Sequence, residues 1–201
     1  LGLATLSLII IMSIALLIGA ISGYYGGWLD TGLMAVVDLV LAFPSLILGI
    51  AVAGILGPSI VNVLIAVSVV WWAGYARVIR SMVLSARNRD YVEAARAIGA
   101  SDARIVVFHI ARNILGPFVV LATLDMGFII LGIAGLSFLG LGAQPPTPEW
   151  GAMLNESRSY MQTNPSLLLV PGLAIFTVVL GFNLLGDGIR DLLDPTTYRP
   201  E

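Results

Sequence analysis

The sequence predicts an all-α fold, a polytopic membrane helical bundle of five transmembrane helices with a cytoplasmic helix-turn-helix loop. Of its 201 residues, 58% are apolar and 11% are charged, whereas soluble domains carry about 25% charged residues. The mean hydropathy of +0.98 also argues against a soluble or a disordered chain. A closed β-barrel is disfavoured because the apolar runs lack alternation with a period of two. We therefore treat residues 1–201 as one transmembrane domain.

Five apolar runs approach the length of about 20 residues that a helix needs to cross the hydrocarbon core. No charge lies between Asp38 and Arg77, and this run is too long for one helix. Gly57 and Pro58 stand in its middle and predict a turn that divides it into two helices. The predicted spans are about 3–23, 33–55, 59–79, 114–136 and 166–186.

The basic residues predict the orientation, because cytoplasmic loops carry an excess of positive charge. All ten are arginines, and the loop at about 137–165 contains only Arg158. The others are Arg77, Arg80, Arg87, Arg89, Arg96, Arg104, Arg112, Arg190 and Arg199. Loop 80–112 and the C-terminal tail are therefore predicted to be cytoplasmic, and loop 137–165 external. Five spans then place Leu1 outside, and because the chain does not open on methionine we expect a truncated N-terminus.

The composition excludes several kinds of function. A net charge of −2 provides no basic field for nucleic acid, and the absence of cysteine excludes disulfides, zinc fingers and thiol catalysis. With His109 as its one histidine the chain is a poor metal site, so we expect no metal, no cofactor and no catalytic residue. The Gly-rich phosphate-binding loop of ATPases requires a lysine, which this sequence lacks.

Spacing of small residues predicts close helix packing in two places. Alanine and glycine recur at every fourth position in the strings 15, 19, 23, 27 and 49, 53, 57. Small residues allow helix backbones to approach closely in a membrane, where lipid supplies no hydrophobic force to join them. Internal packing of the bundle is the favoured interpretation, and an interface between subunits is the alternative.

The loop at about 85–113 carries helix signals of its own. Asp90 is a candidate N-cap, and Glu93 three positions later completes a capping-box pattern. Gly99 is a natural helix stop, and Ser101 is the candidate cap of a second helix with Asp102 in its first turn. These signals predict a short helix, a tight turn and another helix outside the membrane.

Such a compact helical loop is suited to docking. Small side chains at Ala94 and Ala95 would let a partner surface come close, and Arg89 and Arg96 could bind its acidic groups. An amphipathic loop that rests on anionic lipid headgroups is the alternative, and the residues by themselves leave both open.

A family resemblance bears on this choice. Glu93, Ala94 and Ala95, followed after three residues by Gly99, resemble the EAA loop of permease subunits in bacterial ATP-driven (ABC) importers. Almost all of the chain resembles the second permease subunit of the peptide and nickel importers. The further matching segments are Leu41-Ala42-Phe43-Pro44, Trp72 to Arg80, Gly135 to Gly142, Pro145 to Trp150, Gly186 to Asp191 and Asp194-Pro195.

The resemblance implies a multi-pass permease subunit of the bacterial inner membrane that imports peptides, nickel or metal chelates. It implies coupling to a separate ATPase through a loop at about 88–110. The residues assigned to this coupling are Asp90, Glu93, Ala94, Ala95, Arg96, Gly99 and Ser101. The implied partners are a second permease in a heterodimer, two ATP-binding subunits, an extracytoplasmic substrate-binding protein and the lipid bilayer, with no nucleic acid. A secondary, gradient-driven transporter is the alternative function.

The chain departs from the family pattern at one point. The pattern closes its loop with Ile-x-Leu-Pro ten residues after the glycine, whereas this sequence has His109, Ile110, Ala111 and Arg112 there. Because the proline is missing, we expect the chain to pass more directly into the following span.

Three further residues are candidates for function. Asp125 lies near the middle of its span, where a carboxylate is costly and marks either a pathway or a structural pairing. Asp38 lies one turn inside the cytoplasmic end, where a structural hydrogen bond is favoured over pathway lining. Trp150 in the external loop is either an interfacial belt residue or, as the resemblance favours, a contact to the substrate-delivering protein.

Overall fold

The computed structural model describes residues 1–193, and three residues used above, Asp194, Pro195 and Arg199, lie outside this range. The described part is helical and contains no β-strand, so the predicted all-α fold is confirmed. The helices are α1 (Gly2–Tyr25), α2 (Gly27–Leu41), α3 (Ser45–Leu56), α4 (Ile60–Arg87), α5 (Asp90–Ala97), α6 (Asp102–Arg104), α7 (Ala111–Phe138), α8 (Trp150–Ser157) and α9 (Ser166–Leu193). A π-helix (Ile105–Ile110) joins α6 to α7, and a 3₁₀ turn (Arg158–Tyr160) follows α8.

Four helices in the described part are long and apolar enough to cross a membrane. They are α1, α4, the continuous helix Asp102–Phe138 and α9, and each lies over a predicted span. The remaining predicted span differs from a single straight helix, because α2 and α3 meet at an angle of 84° and form a fifth crossing only as a bent pair. Pro44 explains the break, since it lacks a backbone N–H and its ring clashes with the preceding helical turn.

The bundle is built on the contact of α1 with α4, which run parallel. A Cβ atom on Gly19 would lie 2.7 Å from the Ala76 carbonyl oxygen, and one on Gly23 would lie 2.7 Å from that of Arg80. No larger residue fits at either point without moving a helix. The first string of small residues therefore packs inside the bundle. Gly27 is the exception, because a Cβ atom added there would have no neighbour within 4 Å.

Trp71 of α4 joins three helices. Its ring lies 3.1 Å from the Cβ position of Gly49 in α3 and 3.3 Å from that of Gly132 in α7. Glycine on both sides leaves room for the indole between the helices. The second string of small residues thus also serves internal packing, and Gly57 at its end forms the predicted turn between α3 and α4.

A second helix pair consists of α7 and α9, which run antiparallel. Gly127 packs against Val179, and a Cβ atom on Gly186 would lie 2.6 Å from the side chain of Leu124. Beyond this strip α9 is open, since only 11% of its most apolar 18-residue stretch is buried by the rest of the chain. Its free apolar face is suited to lipid or to another membrane subunit.

The loop at 137–165 contains a helix that the sequence analysis did not predict. The carboxylate of Glu149 accepts hydrogen bonds from the backbone N–H groups of Gly151 (3.0 Å) and Ala152 (2.9 Å) and so caps α8. Gly151 lies against the end of α7, where its Cβ position is 2.7 Å from Cβ of Ser137. This end of the bundle, opposite α5, is called the α8 end below.

Candidate functional site

The other end of the bundle carries α5 and the arginines at 77–112, and we call it the arginine-rich end. Here α5 begins at Asp90 after the N-cap residue Arg89, which makes no side-chain capping hydrogen bond. The predicted cap at Asp90 and the capping box with Glu93 are therefore wrong. Both carboxylates lie in the first turn of the helix instead, where they interact favourably with the positive end of the helix dipole.

Gly99 ends α5 as the sequence predicts. The N–H of Gly99 donates to the carbonyl of Arg96 (2.9 Å) and the N–H of Ala100 donates to that of Ala95 (3.0 Å), the hydrogen-bond pair of a Schellman motif. Gly99 has a φ of +81°, a left-handed conformation that costs side-chain-bearing residues about 1 kcal/mol or more. Glycine therefore sets the sharp turn that separates α5 from the next helix.

Ser101 begins the next helix, because its Oγ accepts a hydrogen bond from the N–H of Arg104 (3.4 Å). The sequence predicts a separate second helix outside the membrane, but the structure differs. The helix continues without a break from Asp102 to Phe138 and so enters the span directly. The missing proline at 109–112 is consistent with this continuity, since every residue there retains its backbone N–H.

The two faces of α5 have opposite environments. Val92 (0% exposed) and Ala95 (4% exposed) pack into the protomer, whereas Glu93 and Ala94 are exposed. Ile98, just after the helix, is 86% exposed. Of the two alanines that were predicted to allow close approach of a partner, Ala94 is exposed, whereas Ala95 packs against the rest of the chain.

Tyr24, at the end of α1, holds α5 and α6 in place. It is not among the residues that the sequence predicts for this site. Its hydroxyl donates to Oδ1 of Asp102 at 2.6 Å, and its ring lies under the Arg96 guanidinium, 5.7 Å from the ring centroid. Arg96 is thus engaged within the protomer by a cation–π contact. No local pattern could have indicated Tyr24, because Asp102 is 78 positions away.

A partly buried ion pair connects α1, α2 and α4 at the same end. Nε and Nη2 of Arg80 both donate to the carboxylate of Asp30 at 2.6 Å, and the Ser22 hydroxyl also donates to it. The two charged side chains are 29% and 20% exposed. Bidentate arginine–carboxylate pairs of this kind combine strength with fixed geometry.

Asp38 forms an ion pair with Arg77 of α4, in which both side chains are more than half exposed. This is the structural pairing that the sequence analysis favoured for Asp38. Asp125 differs, because within residues 1–193 neither ion pair includes it. Its half-buried carboxyl lies beside the Tyr75 hydroxyl of α4, a neighbour that the sequence did not reveal.

Trp150 is the first residue of α8, and it is half-buried against the bundle. It lines a small cleft together with Ile130, Ile175 and the start of α1. In the described part of the chain no three metal-ligating side chains come together. The ion pairs and hydrogen bonds described above link helices to one another, and Glu93 lies on the exposed face of α5.

These features define a multi-pass membrane protein that presents a short helix with a free face beyond its bundle. Residues 15–198 match the family described as the inner membrane component of binding-protein-dependent transport systems. The chain belongs to this family and is a component of the bacterial inner membrane.

Curated relatives are similar over most of the chain. It is 50% identical over 178 residues to a dipeptide transport system permease protein of Alkalihalophilus pseudofirmus, covering 89% of this chain and 59% of the relative. It is 45% identical over 195 residues to a nickel transport system permease protein of Escherichia coli K12, covering 97% and 70%. It is 50% identical over 172 residues to a glutathione transport system permease protein of Escherichia coli O6:K15:H31, covering 86% and 57%. The chain thus spans about three fifths of the length of two of these relatives.

Proposed function

We propose that this chain is the permease subunit of an ATP-driven importer and forms half of a translocation pathway for peptides, nickel or metal chelates. The observation that carries the proposal is α5, a short helix anchored on one side and free on the other. It contains the Glu93-Ala94-Ala95 sequence followed by Gly99 that is typical of docking loops in such permeases.

In this proposal the free face of α5 docks on an ATPase subunit. Glu93, Ala94 and Ile98 are all exposed. Glu93 supplies a negative charge to the partner, the small side chain of Ala94 allows close approach, and Ile98 supplies an apolar contact. Gly99 and Ser101 set the turn that fixes the direction of α5. Asp90 lies in its first turn, and Arg96 holds it to α1 through Tyr24. The chain itself contributes no catalysis, and the ATPase hydrolyses ATP.

The proposed assembly contains a second permease, two ATP-binding subunits and an extracytoplasmic binding protein. The family description supports the last of these, since it names binding-protein-dependent transport. The open face of α9 is suited to lipid or to the second permease. Trp150 at the α8 end is the proposed contact to the binding protein.

Asp125 and Asp38 are the proposed pathway residues. Asp125 is a half-buried carboxyl on a membrane-length helix beside Tyr75. Because intramembrane carboxylates are costly and rare, they are typical of transport pathways or of structural pairs. Asp38 is exposed at its ion pair with Arg77. Asp125 would attract the positive charge of a nickel ion or of a peptide amino group without holding it tightly, whereas Asp38 would do so only when its ion pair with Arg77 opens.

Docking is tested by charge reversal on the free face of α5. The full-length Glu93→Arg variant is purified in mild detergent from its host, and companions are quantified by mass spectrometry. Like charges placed opposite each other across an interface cost several kcal/mol, so an arginine in place of Glu93 should repel a basic partner group, and we expect the recovered ATPase subunit to fall by at least about tenfold. The matched control is Glu156→Arg, the same reversal on exposed α8 at the opposite end. An equal amount of ATPase in both variants would contradict docking through α5.

The energy source and cargo are tested together in host cells. Uptake of a labelled dipeptide, of glutathione and of nickel ion is measured with and without the gene, since relatives are named for these three cargoes. The ion gradient is then collapsed while ATP is kept high. Uptake through an ATP-driven importer continues, whereas uptake that stops identifies a gradient-driven carrier instead.

A further inference from the structure

The last turn of α1 contacts several elements through three consecutive residues. Ser22 donates a hydrogen bond to Asp30 of α2. Gly23 lies against the backbone of Arg80 in α4. Tyr24 contacts α5 and the start of α6. A displacement of this one turn is therefore transmitted to α2 and α4 at the same time.

Connections between α5 and the spans are of two kinds. The chain itself joins α5 to the helix Asp102–Phe138 through the Gly99 turn. The link to α1 is made by side chains, with the ring of Tyr24 under Arg96 and its hydroxyl on Asp102. Tyr24 is 3% exposed, so water does not readily replace it at either contact.

The packing of α1 explains why this link matters. The close approach of Gly19 and Gly23 to α4 leaves no space between the two helices. A force applied at Tyr24 therefore moves α1 and α4 together rather than α1 alone, because well-packed interfaces shift between discrete arrangements instead of deforming continuously.

We infer that Tyr24 is a positioning residue that transmits movement of α5 to α1 when a partner engages the free face of α5. This inference rests on the proposed function, since it takes the ATPase as that partner. It adds that the signal divides at α5, with one branch through the chain to α7 and another through Tyr24 to α1 and α4.

The test uses the full-length chain in its complex as purified from the host. Tyr24→Phe removes the hydrogen bond to Asp102 but keeps the ring under Arg96, and Tyr24→Leu removes both contacts. Asp102→Ala removes the acceptor from the other side. The matched control is Tyr25→Phe, the same change at the neighbouring position, which is 53% exposed.

The readout is amide hydrogen exchange of each complex with and without ATP plus vanadate. In the wild type, nucleotide is expected to change exchange both at 90–98 and at 22–30. In Tyr24→Phe and Asp102→Ala, we expect the change at 90–98 to persist and the change at 22–30 to fall at least about fivefold, since hydrogen bonds to charged groups are among the stronger ones. Tyr24→Leu should abolish it, and Tyr25→Phe should retain it.

The outcomes are distinguishable. Retention of the nucleotide response at 22–30 in all three variants overturns the inference. A loss in Tyr25→Phe as large as in Tyr24→Phe also overturns it, because the effect would then be a general loosening of the helix end. Combining Tyr24→Phe with Asp102→Ala should reduce the response no further than either alone, and additive losses would show that the two residues act separately. A wild-type complex without any response at 90–98 would instead contradict the proposed docking itself.

Discussion

The two ends of the bundle differ in the contacts that supplement the glycine packing of α1 on α4. At the α8 end, glycine lets backbones touch and polar groups satisfy backbone atoms, as where Asn155 donates to the Phe138 carbonyl and the Ser59 N–H donates to that of Leu141 (3.1 Å). At the arginine-rich end, charged and aromatic side chains join elements far apart in sequence, such as Arg80 with Asp30. Side-chain links of this kind can break and re-form while the helices stay intact.

This difference indicates a division of labour between the ends. We expect the α8 end to be the more rigid of the two, since Gly151 packs directly on the backbone of Ala134. At the arginine-rich end we expect α5 and α6 to be the elements that move, because side chains join them to α1. Substitutions at both ends test this division.

Gly151→Ala should be the most damaging change. Its Cβ atom would overlap the backbone of Ala134 and lie 2.7 Å from Cβ of Ser137, and overpacking of this kind costs about 1–3 kcal/mol or more. The fraction of protein that stays monodisperse after heating in detergent measures this loss. Gly172→Ala, which meets nothing within 4 Å, is the control and should be as stable as the wild type. Equal behaviour of the two variants would remove the basis for a rigid α8 end.

Asp30→Asn should come second. It removes one charge from the bidentate pair with Arg80, where both side chains are less than a third exposed, and we expect a loss of about 1–3 kcal/mol. A denaturant titration in detergent, followed by tryptophan fluorescence, measures it. A loss larger than that for Gly151→Ala would reverse the order proposed for the two ends.

Gly99→Ala should have a smaller and local effect. Alanine at a φ of +81° costs about 1 kcal/mol, so the end of α5 should open more often while the bundle stays folded. Hydrogen exchange of the Ala100 amide, which closes the Schellman motif, should accelerate about fivefold. Gly188→Ala, in open space on α9, serves as the control. Unchanged exchange at Ala100 would mean that the turn does not depend on glycine.

Asp38→Asn should have the smallest effect. Its pair with Arg77 is exposed on both sides, and such pairs contribute less than about 1 kcal/mol and are screened by salt. We expect almost no change in stability at 0.15 M salt and a small loss at 0.01 M, measured by the same denaturant titration. A salt-independent loss as large as that for Asp30→Asn would show that the two pairs are equivalent.

Local signals in the sequence predicted several features of the candidate site, and tertiary contacts decided the others. Gly99 as a helix stop and Ser101 as a cap depend on neighbours within three or four residues, so the sequence revealed them. The burial of Ala95 and the engagement of Arg96 depend on where α1 ends in space. The predicted capping box did not form. A capping-box sequence permits the cap, but the first turn of a helix can also form without one.

The all-α membrane bundle, its four long spans and the short helix between two of them can be predicted from the sequence, because apolar length and the periodicity of a helix are local properties. The 84° bend between α2 and α3 and the helix in the 137–165 loop became apparent only in the folded structure. The folded structure also sets which charges pair, because Asp30 and Arg80 are 50 positions apart and Tyr24 and Asp102 are 78 apart. Such pairings arise when packed helices bring distant side chains together, and helix packing depends on shape complementarity summed over many residues rather than on any local pattern.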